Sequence, residues 1–483
     1  MQSIKLPNAT SYLDGRPGTI CVIGAGVSGL RAAGLLAGAG FQSDELGGLV
    51  DLGASWIHGT KGNPLVTLAG EIGSTIIACG AVDSIFTSNG HPIARWIAHD
   101  DYQQMWYILN LVIERSRKRH LKLSSDAKMM DFFRKQVDRE YRNAQSPEPQ
   151  NMRLNQIIEM WGAFMGDDCE RQSLKNLWLD SGLAGRNLFV ASTYQAILVH
   201  LQSMIDMKAT IRLQCEVTRL INNKSAGIDV EAADGFRGQF DNVVVTAPLG
   251  WLKRNPHAFS PPLSPSISNA VRTLGYGNLD KVFIKFPRPF QDNEHTRTGG
   301  DQGPSGGRDL SFSIKSLFLN PHYAPDTNPA KWRQEIISFS SLPHLWAMGQ
   351  HITGLVRELA CDSKEYYRIL DENFRPYYSK LPGYTPDSPD CTPLKILSTD
   401  WQNDKFVGYG SFTNLSVGCD SASEHFEALK NGMGEERGIW FAGEHTSGSG
   451  GLGTVHGAYL SGEYVAKRIA SCYSVTLDGD GLS

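Results

Sequence analysis

The sequence has almost no excess of either charge. Its 46 lysines and arginines nearly balance its 50 aspartates and glutamates, which leaves a formal net charge of −4. Attraction of the whole molecule to nucleic acid or to an anionic membrane surface is therefore excluded. The basic cluster at residues 115–120 is explained by a solvated helix face. We expect no nucleic-acid partner.

Long hydrophobic runs are also missing. No stretch reaches the ~18–20 consecutive apolar residues that a membrane-spanning helix needs, so no membrane association is predicted. Residues 1–18 are polar and contain prolines instead of the apolar core of a secretory signal. The last residues do not read Ser-Lys-Leu, the peroxisomal address. These absences predict a cytoplasmic protein.

Cysteine is sparse and scattered. The eight cysteines show neither the spacing of a disulfide framework nor that of a metal site, so we expect reduced thiols and no metal. Glycine, in contrast, is abundant, with 50 of 483 residues, and 41% of the chain is apolar. This composition is typical of an α/β protein with two or three domains and many tight turns.

A glycine motif near the N-terminus organises the chain. The apolar run Ile20–Ile23 is followed by Gly24-x-Gly26-x-x-Gly29 and then by a helix of small residues. In a dinucleotide-binding turn the first glycine makes the tight turn, the second lets the backbone approach a pyrophosphate, and the third lets the helix pack against its strand. The helix start attracts phosphates through its N–H groups and its dipole. The sequence therefore predicts a dinucleotide site.

A second motif lies near the C-terminus. The apolar run 439–442 is followed by Gly443 and Glu444, and a glycine-rich loop then leads to a helix that begins near Thr454. Glu444 can accept a hydrogen bond from a polyol hydroxyl, and the amides of Thr454 and Val455 can donate to a carbonyl or an anion. The alternative is a glycine-rich linker before an ordinary amphipathic helix. The N-terminal glycines favour the functional interpretation.

The order of patterns predicts a discontinuous dinucleotide domain with two insertions. Apolar residues at three-and-four spacing predict helices over 102–188, and short strands follow over 211–245. The predicted division is residues 1–80, 190–255 and 395–483 for the dinucleotide domain, and 81–189 and 256–394 for a substrate-binding domain with a helical insertion and a mixed sheet.

With these motifs in order, the chain resembles the flavin-containing amine oxidases: monoamine oxidases, polyamine and spermine oxidases, and the flavin histone demethylases. The resemblance runs from about residue 19 to residue 469 and is closest to the polyamine and spermine oxidases. It implies a mixed α/β fold with a Rossmann-like FAD domain and a substrate domain of mixed sheet and helices. The implied FAD contacts are Gly24, Gly26, Ser28 and Gly29 at the pyrophosphate, Gly53, Ala54, Ser55 and Trp56 along the flavin ring, Val217 at the adenine, Gly443 and Glu444 on the ribitol side, Thr454 and Val455 at the pyrimidine end, and Trp401 beside the flavin.

The resemblance also implies two residues for chemistry near the flavin. Lys281 begins the alternating run Lys281–Phe286, which by itself favours a solvated strand face. By resemblance, Lys281 matches the lysine that holds a water near the flavin N5 and assists reoxidation. His58, in the segment Trp56–Gly59, matches a histidine that contacts the polyamine near the flavin. A turn histidine satisfied by the backbone is the alternative.

The implied substrate cage is half aromatic. Trp401 and residues 410–412 match the region that supplies one wall. Monoamine oxidases place two tyrosines in the cage, whereas this chain has Phe412 and Thr454. Covalent relatives attach FAD through a cysteine at the position of Ser411. The resemblance therefore implies non-covalent FAD.

The chain departs from the family after its first helix. Asp44 and Glu45 lie about 20 residues beyond Gly24, near the place of a ribose-binding acid. No apolar strand precedes them, however, and Gly47-Gly48 is followed by leucine instead of arginine. We infer an internal deletion of the second strand, the ribose acid and the Gly-Gly-Arg turn, which would weaken both fold and FAD binding. An incorrect gene model, a splice variant or a degraded enzyme would explain it.

The expected activity is FAD-dependent oxidation of a secondary amine of spermine, spermidine or their acetylated forms. Hydride would pass to flavin N5, water would hydrolyse the imine to an aldehyde and an amine, and O₂ would be reduced to H₂O₂. Burial near Trp56, Trp401 and Phe412 favours the neutral amine. The expected partners are a small amine and O₂, and the oligomeric state is not predicted. The alternatives are a specialised amine or amino-acid oxidase of a biosynthetic pathway, and a flavin-free pseudo-oxidase scaffold.

Overall fold

The computed structural model describes residues 19–34, 50–78, 84–142, 147–204, 211–223, 227–290, 313–324, 334–339, 344–349, 356 and 359–474. Within these ranges helices and strands are mixed along the chain, as the sequence predicts. The helices are α1 (Val27–Gly34), α2 (Pro64–Glu71), α3 (Arg95–Arg119), α4 (Met129–Glu140), α5 (Pro147–Ile157), α6 (Glu159–Met165), α7 (Gln195–Ser203), α8 (Leu249–Arg254), α9 (Pro265–Thr273), α10 (Lys364–Tyr378), α11 (Ala422–Asn431), α12 (Gly434–Arg437) and α13 (Val455–Cys472).

The strands are β1 (Ile20–Ile23), β2 (Trp56–Ile57), β3 (Ile76–Ala78), β4 (Ser84–Phe86), β5 (Leu188–Val190), β6 (Val217–Asn222), β7 (Ile228–Ala232), β8 (Arg237–Phe240), β9 (Asn242–Val245), β10 (Phe259–Ser260), β11 (Gly275–Gly277), β12 (Asp280–Lys285), β13 (Ser313–Phe318), β14 (Gln334–Phe339), β15 (His344–Gly349), β16 (Lys395–Ser398), β17 (Phe412–Asn414) and β18 (Ile439–Phe441).

A three-stranded parallel sheet carries the N-terminal glycine motif. Its order is β1–β9–β18, and Ile23 and Phe441 both lie level with Val245. Strands β9 and β18 are fully buried, as expected for parallel strands covered on both faces. Because all three strands run the same way, their carboxyl ends meet at one edge. The turns that contain Gly24 and Glu444 follow at that edge, where ligands of such sheets bind.

Helices α1 and α13 cover this sheet together. A Cβ built on Gly462 would overlap the carbonyl oxygen of Ser28, so the two helices approach at backbone distance. The hydroxyl groups of Ser28 and Ser461 lie 3.2 Å apart in this contact. The side chain of Ser28, predicted to hold a pyrophosphate, is therefore engaged with α13. The pyrophosphate contact of Ser28 stays a prediction.

Strand β1 is the outer strand of the parallel sheet. Within the described part of the chain it pairs with β9 alone, and its four residues are half-buried. The junction at residues 41–49, where the deletion is predicted, lies outside the described residues. The predicted loss of a second strand therefore stays a prediction.

A six-stranded sheet is the largest sheet among the described residues. Its order is β16–β12–β15–β14–β13–β4, antiparallel except for the pair β13–β4. On one face, Val282 and Ile284 pack against α10 at Phe374. On the other face, Phe283 packs against Trp56. Because both faces of β12 are covered, the alternative of a solvated strand face for this segment is wrong.

The helices predicted over 102–188 are present up to Met165. Helices α3 to α6 share an apolar cluster with β4 and β13, whereas the chain after residue 165 forms short 3-10 segments and β5. The predicted domain boundary between 394 and 395 falls at the start of β16, an edge strand of the six-stranded sheet. The domain division stays a prediction. No described helix combines the length and apolarity needed to cross a membrane.

Candidate active site

The turn after β1 has the geometry that the glycine motif predicts. Gly24 has a positive φ of 105°, and a side chain there would overlap the hydroxyl of Thr246, which donates to the Ile23 carbonyl. A Cβ on Gly29 would overlap the carbonyl oxygen of Gly24. A Cβ on Gly26, in contrast, meets no atom of the described ranges within 4 Å. The chain itself requires the first and third glycines, while the second borders open space.

Glu444, just after β18, joins two other segments. Its Oε1 accepts from the amide (3.0 Å) and the hydroxyl (2.7 Å) of Thr413, and its Oε2 accepts from the amide of Gly453 (2.9 Å). Burial raises the pKa of Glu444, and these donors lower it. The neighbouring Phe412 ring lies 3.3 Å from a Cβ built on Gly453. Glu444 therefore fixes the predicted cage residue Phe412 against the loop that precedes α13.

Thr454 and His456 fix the start of α13. The hydroxyl of Thr454 accepts from the Gly457 amide (3.1 Å) and donates to the Gly451 carbonyl (2.8 Å). The Nε2 of His456 lies 2.6 Å from the Gly450 carbonyl oxygen. The amide of Thr454 also donates to the Gly451 carbonyl (3.2 Å), and its contact with a ligand stays a prediction. The predicted contact through Val455 stays a prediction.

His58 lies close to His456. Burial and the neighbouring His456 lower the pKa of His58 to about 4, and burial also lowers the pKa of His456. The His58 carbonyl accepts from the side chain of Asn63 (3.1 Å), which also caps α2. Both imidazoles are therefore uncharged at neutral pH. The structure thus brings the Trp56–Gly59 segment to the loop before α13.

Lys281 faces the segment predicted to lie along a flavin ring. Its side chain is buried, and Nζ donates to the carbonyl oxygens of Asp51 (3.1 Å) and Gly53 and to the hydroxyl of Ser55 (2.7 Å). Burial lowers the pKa of Lys281 to about 7, against the opposite effect of Asp51. Lys281, Gly53 and Ser55 are therefore neighbours, and the water-holding role of Lys281 stays a prediction.

Sequence reasoning missed Asp51 and Tyr194. The Asp51 carboxylate accepts the Tyr194 amide at 2.9 and 3.0 Å, and the Tyr194 hydroxyl donates to the Trp56 carbonyl (2.8 Å). Burial raises the pKa of Asp51 to about 6, while the Tyr194 amide and Lys281 lower it. The only local signal for Asp51 is its place two residues before Gly53.

Asp280 is a second carboxylate that the sequence did not reveal. It is fully buried, and its Oδ1 accepts from the amide of Trp401 (3.0 Å) and the hydroxyl of Thr399 (3.1 Å). The same Thr399 hydroxyl accepts from the amide of Lys281 (2.9 Å). Asp280 therefore links the lysine strand to Trp401, the predicted cage wall.

A match to a known protein family identifies the cofactor and the type of reaction for this site. The family model described as flavin containing amine oxidoreductase matches residues 27–470. The chain belongs to this family. It is therefore an oxidoreductase of the flavin-containing amine oxidase type, with FAD as its cofactor and a two-domain FAD-binding architecture.

Three relatives are similar over nearly the whole chain. The probable polyamine oxidase 4 of Arabidopsis thaliana is 26% identical over 478 residues, which cover 92% of this chain and 85% of the relative. The peroxisomal N(1)-acetyl-spermine/spermidine oxidase of Homo sapiens is 25% identical over 519 residues, covering 94% and 95%. The corticosteroid-binding protein of Candida albicans is 26% identical over 511 residues, covering 93% and 95%.

The cytoplasmic location stays a prediction.

The described residues of the amine oxidase fit FAD at two places. The space beside Gly26 leaves room for a pyrophosphate at the start of α1, where a helix N-terminus favours anions. A Cβ on Gly53 also meets none of the atoms that the structure describes within 4 Å, and both Gly53 and Ala54 are exposed. The segment predicted to lie along the flavin ring is therefore exposed at Gly53 and Ala54, while Lys281 binds its backbone.

Other parts of the predicted flavin site are only partly described. Val217 begins β6, is half-buried and packs against the apolar cluster that includes Val243 and Val245, and its adenine contact stays a prediction. The hydroxyl of Ser411, at the position of covalent flavin attachment in some relatives, bonds to the backbone of Leu279 (2.9 and 3.1 Å). Asp44 and Glu45, the candidate ribose acids, lie outside the described residues.

Within the described ranges, no group of three or more potential ligands could hold a metal.

Glu444 supports a stability prediction for the oxidase. In Glu444→Gln the amide nitrogen replaces an acceptor oxygen and faces either Thr413 or Gly453, leaving a backbone N–H without its bond. We expect the unfolding free energy to fall by about 1–3 kcal/mol, measured by denaturant titration of the flavin-free protein. Glu427→Gln, at an exposed position on α11, is the control and is expected to change it by less than about 0.5 kcal/mol. Equal effects of the two variants would contradict a structural role of Glu444.

Lys281 predicts a pH dependence of stability. Unfolded lysine keeps its proton up to a pKa near 10.5, whereas folded Lys281 releases it near pH 7. Between these values the unfolded chain binds more protons, so this residue makes the unfolding free energy rise with pH. Lys281→Met removes this contribution. The wild-type value minus the variant value should grow by up to about 1.4 kcal/mol per pH unit between roughly pH 7.5 and 9.5. A difference that stays constant over this range would contradict a lowered pKa of Lys281.

Proposed function

We propose that this oxidase acts on polyamines, oxidising a secondary amine of spermine, spermidine or their acetylated forms with FAD and O₂. The family establishes a flavin amine oxidoreductase. Two of the three relatives described above bear the names of polyamine and acetylpolyamine oxidases. At about 25% identity these names support the substrate class and leave the individual amine to experiment.

The contact between Lys281 and the segment Asp51–Ser55 carries the catalytic part of the proposal. It joins the six-stranded sheet to the flavin-ring segment, so the substrate side and the cofactor side meet at this lysine. Bound FAD supplies a hydride acceptor that O₂ can reoxidise. The chain's own residues shape the space beside it: Trp56 and Phe412 provide apolar surface that disfavours a charged amine.

His58 is suited to contact an amine in this setting. Its pKa of about 4 keeps the imidazole uncharged at neutral pH, so it does not repel a substrate that carries other ammonium groups. An uncharged imidazole can accept a hydrogen bond from an amine N–H through one ring nitrogen. Its position beside the loop before α13 supports the substrate role that the resemblance implies.

Asp180 supports a substrate with more than one amine. The residues after it reach both sides of the site: the Ser181 carbonyl lies 3.9 Å from a Cβ built on Gly450, and the Leu183 carbonyl would overlap a Cβ on Gly59. Asp180 itself is half-buried, and burial raises its pKa to about 7. No described residue donates a hydrogen bond to it. A partly desolvated carboxylate without a donor is costly, and an ammonium group would satisfy it.

An absorption experiment tests the proposal. The visible spectrum of the purified protein is recorded, and spermine, N1-acetylspermine or a simple monoamine is then added without oxygen. We expect a flavin spectrum that bleaches with the polyamines and returns when air is admitted. A spectrum that bleaches only with a monoamine or an amino acid would contradict the polyamine proposal and favour the specialised amine or amino-acid oxidase.

A flavin-free scaffold is the second candidate. Strand β1 is the outer strand of the parallel sheet in the described part of the chain, and the predicted deletion would remove its neighbour. The corticosteroid-binding relative bears the name of a binding protein. A colourless protein that gains no flavin spectrum after incubation with FAD would support the scaffold. A stoichiometric flavin spectrum would exclude it.

A further inference from the structure

Asp51 occupies the junction between Lys281, the flavin-ring segment and helix α7. Its carboxylate accepts the amide of Tyr194, the residue that precedes the first turn of α7. Its carbonyl oxygen accepts from Lys281 Nζ at 3.1 Å and from the Ser55 hydroxyl at 3.4 Å. One residue therefore anchors the start of the segment through its side chain and receives the lysine through its backbone.

The side chain of Asp51 is held in place by features independent of Lys281. The N-terminal end of a helix stabilises a carboxylate through its N–H groups and its dipole. Tyr194 also fixes the other end of the same segment, because its hydroxyl donates to the Trp56 carbonyl (2.8 Å). Asp51 is thus fixed beside a buried ammonium group whose N–H groups have oxygen acceptors on the same segment, and its charge acts on that group.

Among the groups around Lys281, Asp51 carries the charge that favours the ammonium form of this lysine. The neighbouring carboxylate of Asp280 is bound by Asn278, Thr399 and the Trp401 amide. The ring centre of Phe283 lies 6.0 Å from Nζ and is uncharged. Burial disfavours the ammonium form of Lys281, and Asp51 is the charged residue that opposes this effect.

We propose that Asp51 is a positioning residue for flavin chemistry: its carboxylate favours the ammonium form of Lys281 and thereby fastens this lysine to the backbone of residues 51–55. Loss of the Asp51 charge would remove a negative charge that opposes the cost of burying the ammonium group. Lys281 would then deprotonate at lower pH and lose one of its three N–H donors. The Gly53–Ser55 backbone would consequently be held less tightly at the side of the flavin ring. The inference holds for any amine substrate.

Asp51→Asn separates this role from simple capping of α7. Asparagine keeps an oxygen for the Tyr194 amide and is a good capping residue, but it carries no charge. Lysine labelled with ¹³C at Cε is incorporated into the purified protein, and the Lys281 signal is assigned by its absence in Lys281→Met. We expect the pH midpoint of this signal to fall by at least about one unit in Asp51→Asn and to recover in Asp51→Glu.

Asp404→Asn is the matched control. The Asp404 carboxylate also accepts backbone amides, those of Phe406 and Val407, but it does not contact Lys281. We expect this variant to leave the Lys281 midpoint unchanged. A midpoint in Asp51→Asn within about 0.3 units of the wild type would overturn the proposal and leave Asp51 as a helix cap.

A measurement on the wild type covers the case in which Asp51→Asn does not fold. The Lys281 signal should then show a second inflection near pH 6, where the Asp51 carboxyl takes up its proton. A single inflection between pH 5 and 9 would overturn the proposal. Neither measurement involves an amine substrate, so its outcome is independent of the polyamine test.

Discussion

Replacing Gly26 with alanine is expected to weaken FAD binding at least tenfold, a loss of about 1.4 kcal/mol. A Cβ on Gly26 meets no atom of the described residues within 4 Å, so this part of the fold accepts it. It would, however, occupy the space through which the backbone approaches the pyrophosphate. The dissociation constant is measured by titrating flavin-free protein with FAD and following flavin fluorescence. The unfolding free energy of the flavin-free protein should stay within about 1 kcal/mol of the wild type.

Gly29→Ala is the matched comparison in the same turn. Its Cβ would overlap the carbonyl oxygen of Gly24, a backbone atom that cannot move without shifting β1 or α1. We expect the flavin-free protein to lose at least about 2 kcal/mol of unfolding free energy. If both variants lose the same stability, or if Gly26→Ala binds FAD as tightly as the wild type, this assignment of roles in the turn is wrong.

Replacing Asp180 with asparagine is expected to raise KM for spermine at least tenfold while leaving KM for a monoamine within about twofold. The half-buried carboxylate has no donor among the described residues and would pair with a substrate ammonium group distant from the oxidised nitrogen. Removing the charge of a desolvated pair typically costs a few kcal/mol, so tenfold is a lower bound. Initial rates of O₂ consumption with each amine provide the measurement.

The pKa of Asp180 provides a second readout for the same variant. Because this pKa is about 7 in the free protein, binding of an ammonium group should release protons near pH 7. Calorimetry of spermine binding without oxygen, in two buffers of different ionisation enthalpy, detects this release, and Asp180→Asn should abolish it. Asp420→Asn, at an exposed side chain, serves as control. Unchanged KM values and unchanged proton release would remove Asp180 from the substrate site.

Some features of the active site depended on long-range packing that sequence patterns do not report. The alternation of residues 281–286 is the pattern of a strand with one wet face, yet α10 covers one face and Trp56 the other. Asp51 lies 143 positions before Tyr194 and 230 before Lys281. Its place two residues before Gly53 is the one local feature that distinguishes it from a surface acid.

The sequence by itself determined the family, the glycine turn and the mixed α/β fold. These features are readable locally: Gly24 adopts a positive φ, a Cβ on Gly29 would overlap the carbonyl oxygen of Gly24 five residues before it, and the order of the motifs is read directly from the chain. The tertiary structure decided which polar groups meet. The partners of Lys281, the proximity of His58 to His456 and the environment of Asp180, which has no donor among the described residues, all depend on burial between distant segments. Burial sets both their hydrogen bonds and their pKa values, and it arises only when the sheets and helices pack.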